Sequence, residues 1–171
     1  MKKKIVVLLL AISINAFCKY NSNIAYYSKK HGVDTLIVHA IIQVESQYTA
    51  RCERFEKELL DQRWYSDWIP IKYSNNMLAY SSVGIMQILY GTALWLGYKG
   101  TPKGLYNLNI NLNYGIKYIA FLSKKYKGNI RHIAAAYNAG KVRKKRNGTY
   151  LNNKCVLKFN HIYVRMLVDR K

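Results

Sequence analysis

A mainly α-helical domain is the fold class this sequence predicts, on three observations. Apolar residues recur at three- and four-residue spacing in one segment after another, the period that lines a helix face. Alternating apolar–polar runs of the kind that make half-buried strands are nearly absent. Asparagine, aspartate and glycine stand where the periodic stretches begin and end, as helix caps and stops do. With 171 residues, half of them apolar, the chain can bury one core of ordinary size and is short for two.

The elements follow in order. "MKKKIVVLLLAISINAFC" has a three-lysine start, an apolar run from Ile5 to Ile14, then small and polar residues. That is the three-part pattern of a secretory signal, and the run is short for a membrane span. Residues 1–17 are expected to be the signal, cleaved near 16–18, after Ala16 or Cys18; Asn15, Ala16 and Phe17 make a poor lipidation site before Cys18. Residues 18–171 form the mature domain. Asn23 to His31 reads as a short helix stopped by Gly32. Val33, Leu36, Ile37, Ala40, Ile41, Val44 and Tyr48 define a second helix, with Asp34 as N-cap and a Val33–Val38 staple. Residues 51–80 shift to a charged and aromatic composition and are expected to be part helix, part loop. "SSVGIMQILYGTALWLG" carries a short helix ending at Gly97. "NLNYGIKYIAFLSKKYKG" turns Leu112, Gly115, Ile116, Ile119, Leu122 and Tyr126 inward and stops at Gly128. "NIRHIAAAYNAG" is capped by Asn129, "KVRKKRNG" is a basic turn, and "HIYVRMLVDRK" closes as a helix.

The charge is extreme and one-sided. Twenty-eight Lys and Arg face eight Asp and Glu, a formal net charge of +20, and no acid lies between Asp67 and Asp169. Such a surface seeks polyanions. Export argues against nucleic acid and for wall polymer or anionic lipid. It also places Cys52 and Cys155 in an oxidising compartment, where they are able to pair. Their spacing fits no zinc site, the four histidines are scattered, and the second half lacks the oxygen ligands that hard cations need. No metal and no cofactor is expected.

One acid stands apart. Glu45 lies in "HAIIQVESQY", at the end of an otherwise apolar helix, bordering the stripe that contains Val38 and Ile41. Alone it reads as a surface glutamate. Behind it, in order, come "SVGIMQ", "NLNYGIKYI" and "AAAYNAG". This ordered set resembles the lytic transglycosylases of the soluble, goose-lysozyme-like type, over roughly residues 22–168. The resemblance implies a lysozyme-like helical domain. It implies that Glu45 is the catalytic acid and that Ser82, Gly84, Met86 and Gln87 line the sugar groove. Tyr137 and Asn138 would face the same cleft, and Asn111, Gly115 and Tyr118 would belong to a structural helix. Asn160 and Tyr163 fit a terminal pattern behind the site. The span from Glu45 to Ser82 is longer than in many members, with Arg54-Phe55-Glu56 inside it, which leaves Glu56 or Asp61 as a possible second acid.

The residues carry a chemistry of their own. Cleaving a glycosidic bond requires a protonated acid at the leaving oxygen, and burial against apolar neighbours is what keeps a glutamic acid protonated near neutral pH. Two-carboxylate hydrolysis needs a partner acid, and the acid inventory is thin. A mechanism with one carboxyl group fits better, and the resemblance implies such a mechanism: Glu45 would protonate the oxygen between N-acetylmuramic acid and N-acetylglucosamine, then accept the proton of the muramyl C6 hydroxyl, leaving a 1,6-anhydro end. The alternatives are a muramidase using Glu45 with Glu56 or Asp61, and a non-catalytic basic wall-binding protein. Read individually, Met86 is core filling, Tyr137 a core tyrosine, and Asn138 a helix C-cap as readily as cleft residues. Trp64, Tyr65 and Trp68 suit sugar stacking or core packing alike. Peptidoglycan strands are the expected partner of a monomer in the periplasm or cell envelope. By analogy with small exported members, an envelope-spanning secretion or conjugation machine is a further partner.

Overall fold

The computed structural model describes residues 19–170, so the expected signal segment lies outside the described residues. Helix α1 occupies residues 19–31 and is already helical ahead of the expected Asn23. Gly32 ends it at φ 65°, a left-handed turn in which Val33 N donates to Ser28 O at 3.0 Å. Helix α2, Thr35–Glu45, starts as anticipated: the Asp34 carboxylate accepts from Leu36 N at 2.9 Å. Leu36 to Ile42 are all buried, so α2 is enclosed on nearly every side rather than along one stripe. Its end is enforced. Gln47 and Tyr48 take positive φ of 51° and 64°, and the Ser46 hydroxyl donates to Ile85 O at 2.7 Å. Glu45 is thereby fixed on the last turn.

Residues 51–80 differ from expectation. They hold strand β1 (Glu53–Phe55), a one-turn helix α3 (Arg63–Ser66) and three 3₁₀ turns. β1 pairs antiparallel with β2 (Ser81–Val83), which pairs with β3 (Ile88–Leu89); Arg54 lies opposite Ser82, and Ser82 opposite Leu89. Strands of two and three residues are too short to show a period of two, and β1 is exposed while β2 is buried on both faces. Helix α4, Tyr90–Trp95, follows and gives way at Gly97, where φ is 96°.

Helix α5, Leu108–Lys125, buries Leu112, Ile116, Ile119 and Leu122 on the predicted face. Asn111 extends that face with a polar clamp. Its Nδ2 donates to Val83 O and Leu105 O, both at 2.8 Å, and its Oδ1 accepts from Met86 N at 2.8 Å. The β2–β3 turn is so tightly held against α5 that two glycines are obligatory. A Cβ on Gly84, itself at φ 75°, would lie 2.4 Å from Asn111 Nδ2, and one on Gly115 would lie 2.6 Å from Met86 Cβ. Helix α6, Ile130–Ala139, begins under Asn129, whose side chain accepts from His132 N at 3.1 Å. Helix α7, Asn153–Asp169, starts well before the expected His161 and packs on α2 and α6 through Val156 and Phe159. Two cores result: an aliphatic one among α1, α2, α5, α6 and α7, and a tyrosine-rich one among residues 65–105.

Candidate active site

A cleft of about 270 Å³ opens where the two cores meet. Glu45 enters it from α2; Glu56, Leu59 and Trp64 line it from the segment after β1; Tyr137, Asn138 and Gly140 line it from α6. Glu45 is half-buried, and its Oε1 accepts from Asn138 Nδ2 at 3.2 Å. The Asn138 amide is oriented in turn, because its Oδ1 accepts from Asn152 Nδ2 at 3.0 Å, and Asn152 also donates to Ala135 O at 3.0 Å. An amide whose oxygen is engaged behind presents its NH₂ in front. Burial raises the Glu45 pKa above the ordinary carboxylate value; the Asn138 bond and the charges of Arg54 and Lys158 oppose the rise, and the charge of Glu56 adds to it. The net shift is upward, towards the protonated form.

The segment from Ser82 to Gln87 divides its work. Ser82 and Gln87 line the cleft. Gly84 and Met86 do not reach it with side chains: Met86 is fully buried beneath Gly115, and Gly84 packs against Asn111. Met86 contributes its backbone instead, its carbonyl accepting from the Tyr137 hydroxyl at 2.7 Å. Sequence pattern marks both residues, but only tertiary packing separates a lining residue from one that shapes the turn. Gln87 takes φ 48°, and its amide donates back to Cys52 O at 3.1 Å and Gly84 O at 2.9 Å. Tyr137 leans on Tyr118 with ring centroids 5.4 Å apart, and its own hydroxyl pKa is pushed well up by burial and by the nearby Glu45.

Glu56 reaches the cleft and Asp61 is exposed away from its lining. Glu56 Oε1 accepts from Ser82 Oγ at 2.7 Å and from Arg54 Nε at 2.8 Å, the latter an ion pair at the end of β1. Cys52 and Cys155 are both free thiols, so the pairing open to them is not made. Cys52 Sγ lies 3.1 Å from Thr49 O, whereas Cys155 feels Glu45 and is pushed up to about 11, chiefly by burial. Asn160 and Tyr163 stand apart from the cleft: Asn160 accepts from Arg131 at 3.4 Å and Tyr163 stacks on Phe159. Asn152 escaped the sequence reading. It occupies the N-cap position of α7 without making a cap bond, and its side-chain NH₂ donates to Asn138 and Ala135. Among the described residues no group of His, Cys, Asp or Glu clusters as metal ligands would.

The mainly helical, lysozyme-like architecture has a counterpart among solved structures. The lytic transglycosylase Slt of Pseudomonas aeruginosa, solved as an inactive glutamate-to-glutamine mutant, matches 86% of this chain at 17% identity and a TM-score of 0.58. The match covers 24% of that protein, so this chain spans about a quarter of it. A family model, the transglycosylase SLT domain, matches residues 22–159. The chain belongs to the transglycosylase SLT family.

Proposed function

We propose that this protein is a peptidoglycan lytic transglycosylase, cleaving the β-1,4 bond between N-acetylmuramic acid and N-acetylglucosamine. The observation that carries the reading is Glu45: a half-buried carboxyl group with a raised pKa, held by an oriented amide at the wall of a cleft. Protonated, it donates to the glycosidic oxygen as the bond from that oxygen to the muramyl C1 breaks. The muramyl C6 hydroxyl then closes on C1 and returns its proton to the Glu45 carboxylate. No water is consumed. Asn138 steadies the carboxylate between the two steps. Tyr137, tied to the Met86 carbonyl, holds the loop that carries Gln87 into the cleft. Glu56 already spends its Oε1 on Arg54 and Ser82 rather than on a nucleophilic water. The one-acid route therefore suits this cleft better than two-carboxylate hydrolysis. The site of action is the cell envelope, with residues 1–17 as export signal and 18–171 as the working domain.

Purified sacculi digested with the protein and resolved by mass spectrometry test the reading. Anhydro-muramyl ends are expected, and Glu45→Gln should lower their release by at least about 10²-fold with the fold retained. Reducing ends in their place would make the protein a muramidase. Sacculus binding with no release by the native protein would make it a wall-binding protein. Undiminished turnover by Glu45→Gln would remove that residue from the chemistry.

A further inference from the structure

The basic run after α6 is an ordered hairpin. Gly140, at φ 72°, turns the chain out of α6 at the cleft wall. Beyond it Lys144 and Tyr150 form an antiparallel bridge, Leu151 N donates to Arg143 O at 3.0 Å, and Lys145 N donates to Thr149 O at 2.8 Å. Lys141, Arg143, Lys144, Lys145 and Arg146 are all exposed on it. Among the described residues, ion pairs engage only Arg54, Arg165 and Arg170, so none of these five cations has an acid partner. Lys158, on the second turn of α7, continues the same charge towards the cleft and is felt by Glu45. An ordered backbone that gathers unpaired like charges works against its own stability unless an anion is to be met there.

The position of the hairpin says which anion. The hairpin leaves the same α6 end that supplies Asn138 and Gly140 to the cleft, and its cations stand just outside the cleft lining. The sugars of a peptidoglycan strand are largely neutral, and its free carboxylates sit on the peptide stems. We propose that the hairpin and Lys158 bind the stem carboxylates of the strand whose glycan occupies the cleft, so that the protein prefers strands whose stem carboxylates are free over strands in which they are amidated. This rests on the function proposed above. Exposed charge pairs are individually weak and screened by salt, with a Debye length of about 10 Å at 0.1 M. Several acting together on a repeating polyanion still set affinity and encounter rate.

The test uses two substrates, intact sacculi and the same sacculi with their stem carboxylates converted to neutral amides by carbodiimide coupling to ammonia; amidase-stripped strands would not serve, because that cleavage frees the lactyl carboxylate of every muramyl sugar. Lys144→Ser/Lys145→Ser/Arg146→Ser should bind intact sacculi about tenfold more weakly, the scale of three exposed charges each giving a few-fold effect. KM should rise and kcat hold. Binding and cleavage of the amidated sacculi should not change, and the Arg-for-Lys variant Lys144→Arg/Lys145→Arg should behave as the native protein. Equal losses on both substrates, or none on either, would overturn the proposal. So would a loss confined to vesicles containing anionic phospholipid, which would assign the hairpin to a membrane surface. Native cleavage of the amidated sacculi reports on the catalytic reading separately, so failure of one does not mimic failure of the other.

Discussion

The two cores that meet at the cleft solve the same packing problem with different chemistry. One is aliphatic: Ile24, Val38, Ile42, Leu112, Ile116 and Ile133 interlock and carry no polar atom beyond the backbone. The other is built on Tyr65, Tyr80, Tyr90 and Tyr98, whose rings meet mostly edge-on, as Tyr90 and Tyr98 do at 6.2 Å and 89°. Long helices close their own hydrogen bonds and can present pure hydrocarbon. The segment from 51 to 106 is made of turns, two- and three-residue strands and a one-turn helix, and it leaves backbone groups in need of partners. Tyrosine hydroxyls provide them. Tyr65 donates to Ala79 O at 2.8 Å and accepts from Gly91 N at 3.0 Å, joining the end of the insert to the start of α4. The acid of the cleft comes from the aliphatic side, where a carboxyl group is driven towards its neutral form. Glu56 comes from the other side, where a guanidinium and a hydroxyl keep a carboxylate engaged.

The sharpest way to break the comparison is to open a hole in the aliphatic core. Ile116 is fully buried at the middle of α5. Ile116→Ala should cost about 2–5 kcal/mol, the transfer energy of the lost methyl groups plus the cavity left behind, measured by urea unfolding. A loss under about 1 kcal/mol would mean that this core collapses around the change and is less rigid than its packing implies.

A smaller change tests the tyrosine core. Tyr65→Phe removes one oxygen and leaves Ala79 O and Gly91 N without partners in a buried place. The expected cost is about 1–3 kcal/mol, well above what loss of one exposed hydroxyl would give. Tyr80 provides the control, since among the described residues its hydroxyl makes no hydrogen bond and Tyr80→Phe should shift the unfolding midpoint less. If the two substitutions cost the same, hydroxyl pairing is not what holds this core.

The difference between the cores is also the difference between what was and was not legible in the sequence. α2, α5 and α6 follow apolar spacing and caps, because burial at period 3.6 and side-chain capping are local facts; Asp34, Asn129 and the face from Leu112 to Leu122 fall where periodicity places them. The sheet was invisible, since β1 meets β2 only across more than twenty-five residues and the local β2–β3 pair is too short to show a pattern of its own. Within the site, Glu45 stood out because an acid at the edge of an apolar helix is locally anomalous. Gly84 and Met86 stood out too, yet their places are under the cleft, and no spacing rule tells which residue of a tight turn points outwards. Asn152 fell outside every element read from the sequence, whose last helix was expected to begin at His161. Its use as the brace of Asn138 depends on α6 and α7 meeting, which is a tertiary fact.

The last contrast lies in how the two walls act on Glu45. The hydrogen bond from Asn138 favours the charged carboxylate and so pulls its pKa down, whereas the negative charge of Glu56 pushes it up. A reaction that needs Glu45 protonated loses rate as pH rises through that pKa, so the alkaline limb of the pH–rate profile reports it. Asn138→Ala should move the limb to higher pH. Glu56→Gln should move it to lower pH, and in the same direction twice over, because Arg54 is then left unneutralised and also favours the carboxylate. Either variant can lose rate for reasons of positioning, so the position of the limb is the readout and its height is not. Opposite displacements would show one carboxyl group tuned from both sides of the cleft. Displacements of the same sign, or a limb that ignores both substitutions, would mean that the titrating group in the rate is not Glu45.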